Sequence, residues 1–319
     1  MFNISTINNQ GFDKVILKDL LTGTVVEILP ACGGALHGFY VVQNDQFLNV
    51  IDHYDDMHDY TNNLSSKGFK SCKLSPFACR LNNAAYTFAG QSYTTGRFFL
   101  NKSSLHGLLF DAPFIVTDKT EGEELASVTM KYEYNGKEPG YPFPYDCIIT
   151  YQLKKNNELC ITTEIINKDA GLIPMQDGWH PYFSFGGKIN DLQLEFQSKE
   201  IVLTDADMIP TGETKPFQEF GSIKQIGETK LDHCFKVNFA ECQPMCVLRD
   251  PAKKIQLEIY PDKSYPYLQI YTPDHRNSIA IENLSAAPDC FNNGMGLKIL
   301  APGEKGIFTT MYKIRTERR

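Results

Sequence analysis

No Cys-x-x-Cys pair occurs in this chain, no apolar run approaches the roughly 18 residues of a membrane helix, and no glycine-rich phosphate loop is present. Each absence removes a class. Nine cysteines, an odd number spread from Cys32 to Cys290, do not make the framework of a small disulfide-built secreted domain. Reduced thiols in a cytoplasm are the simpler expectation. Cys242-x-x-x-Cys246 has no second ligand pair, so zinc is not expected there. The first residues, Met1-Phe2-Asn3-Ile4-Ser5-Thr6, put no basic segment ahead of an apolar one, so a secretory leader is not expected either. Positive charge is also short. Lys and Arg number 31 against 38 Asp and Glu, a net −7, which speaks against the basic face that a nucleic-acid partner needs. No amphipathic helix of four turns stands out. Leu17 to Pro30 is the one arguable stretch, and Thr22-Gly23-Thr24 in its middle reads as a hairpin turn.

What the chain does have is a period of two. Val128, Met130, Tyr132 and Tyr134 alternate with Thr129, Lys131 and Glu133 before Asn135-Gly136 closes the run. Cys147 to Leu153 and Leu159 to Ile166 flank Lys154-Lys155-Asn156-Asn157-Glu158 as a hairpin. Leu192, Leu194 and Phe196, then Ile255, Leu257 and Ile259, alternate again. Tyr267 to Tyr271 and Ile307 to Ile314 complete the set. Many short strands with 12% aromatics and 17 prolines predict an all-β protein, a large antiparallel β-sandwich. No linker, low-complexity segment or fixed-period repeat divides it, so residues 1–319 are read as a single domain.

Polar residues interrupt this pattern in four places. They are Ser75 to Asn83 with Phe88 to Tyr93 behind it, Leu105-His106-Gly107-Leu108, Asp177 to Phe185, and Ile279 to Leu284. Arg80 taken alone is as readily a surface arginine, His106 a turn residue, and His180 a satisfied core histidine among aromatics. Glu282 is the sharpest anomaly, because it follows Ile279-Ala280-Ile281 in what reads as an inner strand. A carboxylate there must be paired, hydrogen-bonded or facing a cavity, and burial would raise its pKa toward that of a base working near neutrality. Asp52-His53-Tyr54-Asp55-Asp56-Met57-His58-Asp59 matches no familiar metal spacing and reads as a solvated acidic loop.

Taken in order, the motifs resemble the aldose 1-epimerase (galactose mutarotase) family. They are Arg80 in Cys79-Arg80-Leu81, Leu105-His106-Gly107, Gly140-Tyr141-Pro142 and His180-Pro181-Tyr182-Phe183. Leu231-Asp232-His233, Gln269 in Leu268 to Thr272, Ile281-Glu282 and Leu300-Ala301-Pro302-Gly303-Glu304 follow. The likeness spans roughly residues 20 to 315. Two positions depart from the family pattern: Cys79 replaces an asparagine, and Leu108 replaces a second glycine. The resemblance implies a large twisted supersandwich with a sugar in a groove on one sheet. It implies Glu282 as base and His180, protonated, as acid, with Arg80, His106, Asp232 and Gln269 holding hydroxyls. The activity implied is interconversion of the α and β anomers of a free aldohexose such as galactose or glucose. One acid and one base suffice for ring opening and closure, so no metal and no organic cofactor is expected. The expected partner is a monosaccharide, with no nucleic acid and no membrane, and the chain as a monomer or homodimer. Two alternatives stay open. One is epimerisation of a hexose 6-phosphate, which needs a cationic clamp near the groove; Arg80 and Arg97 are available, but no arginine cluster stands beside the matched motifs. The other is a sugar-binding sandwich without activity.

Overall fold

Alternating burial sets the strands. In Glu158–Asn167 the side chains of Leu159, Ile161, Thr163 and Ile165 are buried while those between them are half-exposed. A computed structural model gives the fold of this protein and describes residues 1–43, 46–241 and 243–316. Among those residues the strands form three principal antiparallel sheets. The largest runs, edge to edge, through Ile115–Glu121, Leu125–Tyr134, Tyr145–Lys154, Glu158–Asn167, Lys305–Thr316, Ile255–Pro261, Cys246–Asp250, Gln193–Phe196 and Lys224–Gln225. The second runs through Pro210–Pro216, Ser198–Thr204, Asp232–Val237, Tyr267–Tyr271, Ile279–Leu284, Gly178–Trp179 and Lys73–Leu74, with Tyr182–Phe183 also paired to Ile279–Leu284. Phe2–Asn9, Phe12–Asp19, Val25–Leu29, Ala35–Gln43 and Gln46–Asn49 form the third, in sequence order.

The first two sheets face each other across the core. Thr310 Oγ1 donates to Asn283 Oδ1 at 2.9 Å, and the Phe183 and Tyr312 rings meet edge to face at 5.4 Å. The apolar cluster between them takes Ile161, Leu257 and Phe308 from one side and Ile270, Ile279 and Ile281 from the other. The all-β sandwich read from the sequence is therefore the observed fold. The hairpin expected around residues 154–158 is present, with Lys154 opposite Glu158. Asn156 and Asn157 both sit at positive φ in its turn, where asparagine is the best-tolerated residue after glycine. Thr22-Gly23-Thr24 likewise lies between paired strands.

One local reading holds and another is corrected. Asn135-Gly136 does end its strand, but the chain does not return until Tyr145. The intervening loop plants Tyr141 in the core, where its hydroxyl donates to Pro174 O at 2.6 Å. The Asp52–Asp59 segment is not a solvated loop. Asp56 caps a short helix, Met57–Asn63, by accepting from Asp59 N at 2.7 Å. Asp59 is buried against Lys67, and Asp52 accepts from Lys70 at 2.6 Å and Ser278 Oγ at 2.7 Å. These carboxylates pin loops together, a use that sequence spacing does not reveal. The eight cysteines described are free thiols; Cys242 lies outside the described residues.

One ion pair is wholly buried between the sheets. Lys73 Nζ meets Asp177 Oδ2 at 2.6 Å, also donates to Thr163 Oγ1 and Gly178 O, and lies 4.3 Å from the centre of the Trp179 ring. Tyr265 adds a hydrogen bond to the same carboxylate oxygen. Removing one partner strands the other charge in a medium that cannot solvate it. Lys73→Met is thus expected to cost about 3–5 kcal/mol of stability, with Lys73→Met/Asp177→Leu recovering part of the loss. Urea unfolding of the two variants beside the parent measures both numbers.

Candidate active site

Strand register brings the polar positions together. Cys234 lies opposite Gln269, and Gln269 opposite Glu282, so the three stand side by side on one face of the second sheet. Their neighbours Ile281 and Asn283 point the other way, Ile281 into the core and Asn283 toward Thr310. Period two therefore places Glu282 on the face away from the core without breaking the strand. Asp232, two residues before Cys234, shares that face, and Gln269 Nε2 donates to its Oδ1 at 2.9 Å.

His180 sits between the two short strands that flank it. Its backbone N donates to Cys72 O and its carbonyl accepts from Ser71 N at 2.8 Å. That anchoring sets its Nε2 3.4 Å from Glu282 Oε1. Tyr182 stacks on the imidazole with centroids 5.0 Å apart and planes at 14°, and the His106 ring meets the opposite neighbourhood edge-on at 4.9 Å. His106 holds a positive φ of 63°, and its N donates to Cys79 O at 3.0 Å. Gly107 follows because nothing larger fits: a Cβ there would lie 2.3 Å from Ser75 O. Arg80 opens a short strand opposite Leu105. Asp289 secures that strand, its N donating to Arg80 O and its carboxylate accepting from Asn82 N. The Arg80 guanidinium itself has no hydrogen bond or ion pair among the described residues.

All six residues expected at the site line one pocket of about 280 Å³. Cys79 lines it too, so the departure from asparagine falls within reach of a ligand. Leu108 does not; it belongs to the apolar core. Sequence reasoning passed over Tyr182, which lay inside a quoted motif, and Tyr271, one pleat beyond Gln269. It also passed over Phe69 and Met208, which loops deliver from far along the chain with no local signal.

Burial dominates the electrostatics. It holds the Glu282 carboxyl well above the usual carboxylate range, with the Asp232 charge adding to the effect. It pushes the His180 imidazole down to about 4. His106 is driven well below its ordinary value by burial, then by His180 and Arg80. Asp232 is raised by burial against the pull of Arg80. Glu282 Oε2, His180 Nδ1 and His106 Nδ1 have no hydrogen-bond partner among the described residues. Buried polar atoms left open in a pocket are ready to meet a hydroxylated ligand.

A large antiparallel sandwich with this strand arrangement is the galactose mutarotase-like fold. It overlays a galactose mutarotase-like protein from Clostridium acetobutylicum with a TM-score of 0.84, 15% identity and 99% coverage of both chains. Galactose 1-epimerase from Lactobacillus acidophilus NCFM gives 0.82 at 18% identity, covering 100% of this chain and 99% of that one. The family model for aldose 1-epimerase matches residues 21–313, and the chain belongs to that family. Among curated relatives it is 26% identical over 282 residues to the maltose epimerase of Levilactobacillus brevis, covering 81% of this chain and 79% of that protein. It is 24% identical over 240 residues to the uncharacterized protein YihR of Escherichia coli K12, covering 72% and 74%.

Two buried neutral imidazoles make stability depend on pH. Between about pH 6.5 and 4 the unfolded chain binds protons at His106 and His180 that the folded protein refuses, so stability falls as pH falls through that window. Glu282 opposes this slope, because folded it keeps a proton that the unfolded carboxyl releases above its ordinary value of 4.5. Urea unfolding at pH 7, 6 and 5 should show a shallower loss for His180→Asn than for the parent and a steeper one for Glu282→Gln.

Proposed function

We propose that this protein interconverts the α and β anomers of a free aldohexose, galactose or glucose being the substrates to try first, by proton transfer through Glu282 and His180. The observation that carries this reading is the 3.4 Å contact of a buried carboxyl and a buried imidazole in a pocket that Arg80, Asp232 and Gln269 also line. Membership of a carbohydrate epimerase family supports it. The relative named maltose epimerase and the solved galactose 1-epimerase agree with a sugar substrate. We take the whole chain as one catalytic unit working in a cytoplasm, because one apolar cluster runs from Phe2 to Ile314 and the described thiols are free.

The pair holds one proton between two groups. The sequence reading put that proton on His180; burial raises the Glu282 carboxyl and lowers the His180 imidazole, which supports a resting state with the proton on Glu282. Transfer across the contact gives carboxylate and imidazolium without changing net charge. Arg80, Asp232 and Gln269, by engaging sugar hydroxyls, bring a polar ligand against the pair and favour the separated charges. Glu282 then takes the proton of the anomeric hydroxyl while His180 gives one to the ring oxygen. The C1–O5 bond breaks, an aldehyde forms, and rotation about C1–C2 presents its other face. Closure runs the two transfers in reverse, returning each proton to its starting group.

Of the two arginines available for a phosphate clamp, Arg80 lines the pocket without a second arginine beside it. Arg97 is held by Asp111 in a two-bonded ion pair, donates to Leu108 O, and lies 5.1 Å from the centre of the Phe110 ring. It does not line the pocket. Neutral aldohexoses should therefore exchange anomers faster than their 6-phosphates, with Arg97→Ala leaving that preference in place. Glu282→Gln and His180→Asn should each slow exchange by about 10²–10⁴-fold, the worth of a positioned proton-transfer group, and far from additively when combined. Arg80→Ala and His106→Ala should lose roughly 1.5–3 kcal/mol of transition-state binding while melting cooperatively. Exchange spectroscopy by NMR, with spontaneous mutarotation subtracted, reads all of these. Full activity in folded Glu282→Gln would favour the non-catalytic sugar-binding reading or another base.

A further inference from the structure

Gln176 and Asp177 are both fully buried, stand side by side just ahead of Gly178-Trp179-His180, and line no part of the pocket. Their polar groups are engaged elsewhere. The Gln176 amide works between two stretches of irregular backbone. Its Oε1 accepts from Ala78 N at 2.9 Å and from the Cys290 thiol at 3.4 Å, and its Nε2 donates to Ala286 O at 2.8 Å and Ala287 O at 3.2 Å. Gln176 N also donates to Pro76 O at 2.7 Å. Buried backbone outside a strand ladder must find its partners in other groups. An amide carries donor and acceptor together, so it serves both stretches at once.

Each stretch leads to Arg80. Ala78 precedes Cys79-Arg80 in the chain, and Ala287 precedes Pro288-Asp289. Asp289 N donates to Arg80 O, and the Asp289 carboxylate accepts from Asn82 N at 2.9 Å. Gln176 thus ties together the two segments that set Arg80 at the pocket.

Asp177 spans a different gap. Its carboxylate meets Lys73 and Tyr265, its N donates to Ser285 Oγ at 2.8 Å, and its O accepts from Ser285 N at 2.9 Å. Ser285 follows the strand Ile279–Leu284 that carries Glu282. Lys73 follows Cys72, whose carbonyl accepts from His180 N. One residue therefore couples the strand of the carboxyl to the segment that anchors the imidazole. Proton transfer across their 3.4 Å contact is sensitive to such coupling, since a misplacement of about 1 Å costs on the order of a hundredfold in rate.

We infer that Gln176 and Asp177 are positioning residues with divided tasks: Gln176 sets Arg80 and so the binding of the sugar, while Asp177, through Lys73 and Ser285, sets His180 against Glu282 and so the rate of proton transfer. The task of Asp177 rests on the anomer-exchange reading; that of Gln176 needs only that the pocket binds a sugar.

The test compares Gln176→Met, Asp177→Asn, Tyr265→Phe and Lys73→Met/Asp177→Leu with the parent. NMR titration gives Kd for galactose and glucose, NMR anomer exchange gives kcat and KM, and urea unfolding gives stability. Gln176→Met should raise Kd and KM about tenfold with kcat within about threefold, the pattern of lost uniform binding. Gln176→Glu keeps the acceptor toward Ala78 N, should show a smaller rise, and stands in if methionine is not tolerated. Asp177→Asn should lower kcat about tenfold or more with Kd within about threefold. Tyr265→Phe strands no charge and should lower kcat by a smaller factor, which keeps the test open should Asp177→Asn fail to fold. Lys73→Met/Asp177→Leu should regain stability relative to Lys73→Met without regaining kcat, a separation that a purely structural pair would not give. Variants that lose stability while keeping the parent's Kd and kcat would overturn the assignment, as would Kd and kcat changing together at both positions. Hexose binding by the parent without anomer exchange would overturn the anomer-exchange reading and the task of Asp177, with the task of Gln176 still read from Kd. Binding of neither hexose by the parent would overturn both tasks.

Discussion

The cost of burying Glu282 organises the site. A carboxyl on a middle strand of the second sheet, 2% exposed, cannot remain an unpaired anion. Burial favours its protonated form, and it faces His180 across 3.4 Å. Backbone bonds to Cys72 and Ser71 fix the imidazole, and Tyr182 stacks on its face. The opposed sheet fills the other side of the strand with aliphatic side chains, so the register that presents Glu282 cannot slip without moving Ile281 out of the core. Stability and chemistry thus draw on the same pleat.

The same burial favours the neutral forms of the pair. In water a carboxyl and an imidazole near pH 7 would be carboxylate and a mixture of imidazole forms. Burial pushes both preferences the other way, the carboxyl up and the imidazole down, in two groups 3.4 Å apart. A ligand with hydroxyls restores what burial removed. Membership of the aldose 1-epimerase family and this geometry point the same way, since ring opening needs one group to accept a proton and another to give one.

Most of the sandwich was legible in the chain. Alternation such as Leu159, Ile161 and Ile165 has one physical meaning, and asparagines at a hairpin turn have another. The clustering of Arg80, His106, His180, Asp232, Gln269 and Glu282 was legible only through the ordered resemblance, because six residues spread over two hundred positions have no local period. Asp52 to Asp59 misled because charge reads as solvent exposure until the partners, Lys67, Lys70 and Ser278, are seen to come from distant segments. Arg97 was uninformative for the same reason: its engagement with Asp111 is a property of two loops, not of either. How strongly burial raises the Glu282 carboxyl and lowers the His180 imidazole depends on how completely the site is enclosed, which no residue type encodes.

The most direct test of this account is difference infrared spectroscopy of the carboxyl region, with and without saturating hexose, in the parent and in Glu282→Gln. The account predicts a protonated-carboxyl band in the parent at neutral pH that is missing from Glu282→Gln and that loses intensity when the sugar binds. A parent spectrum without that band, or one whose band is indifferent to the sugar, would contradict it.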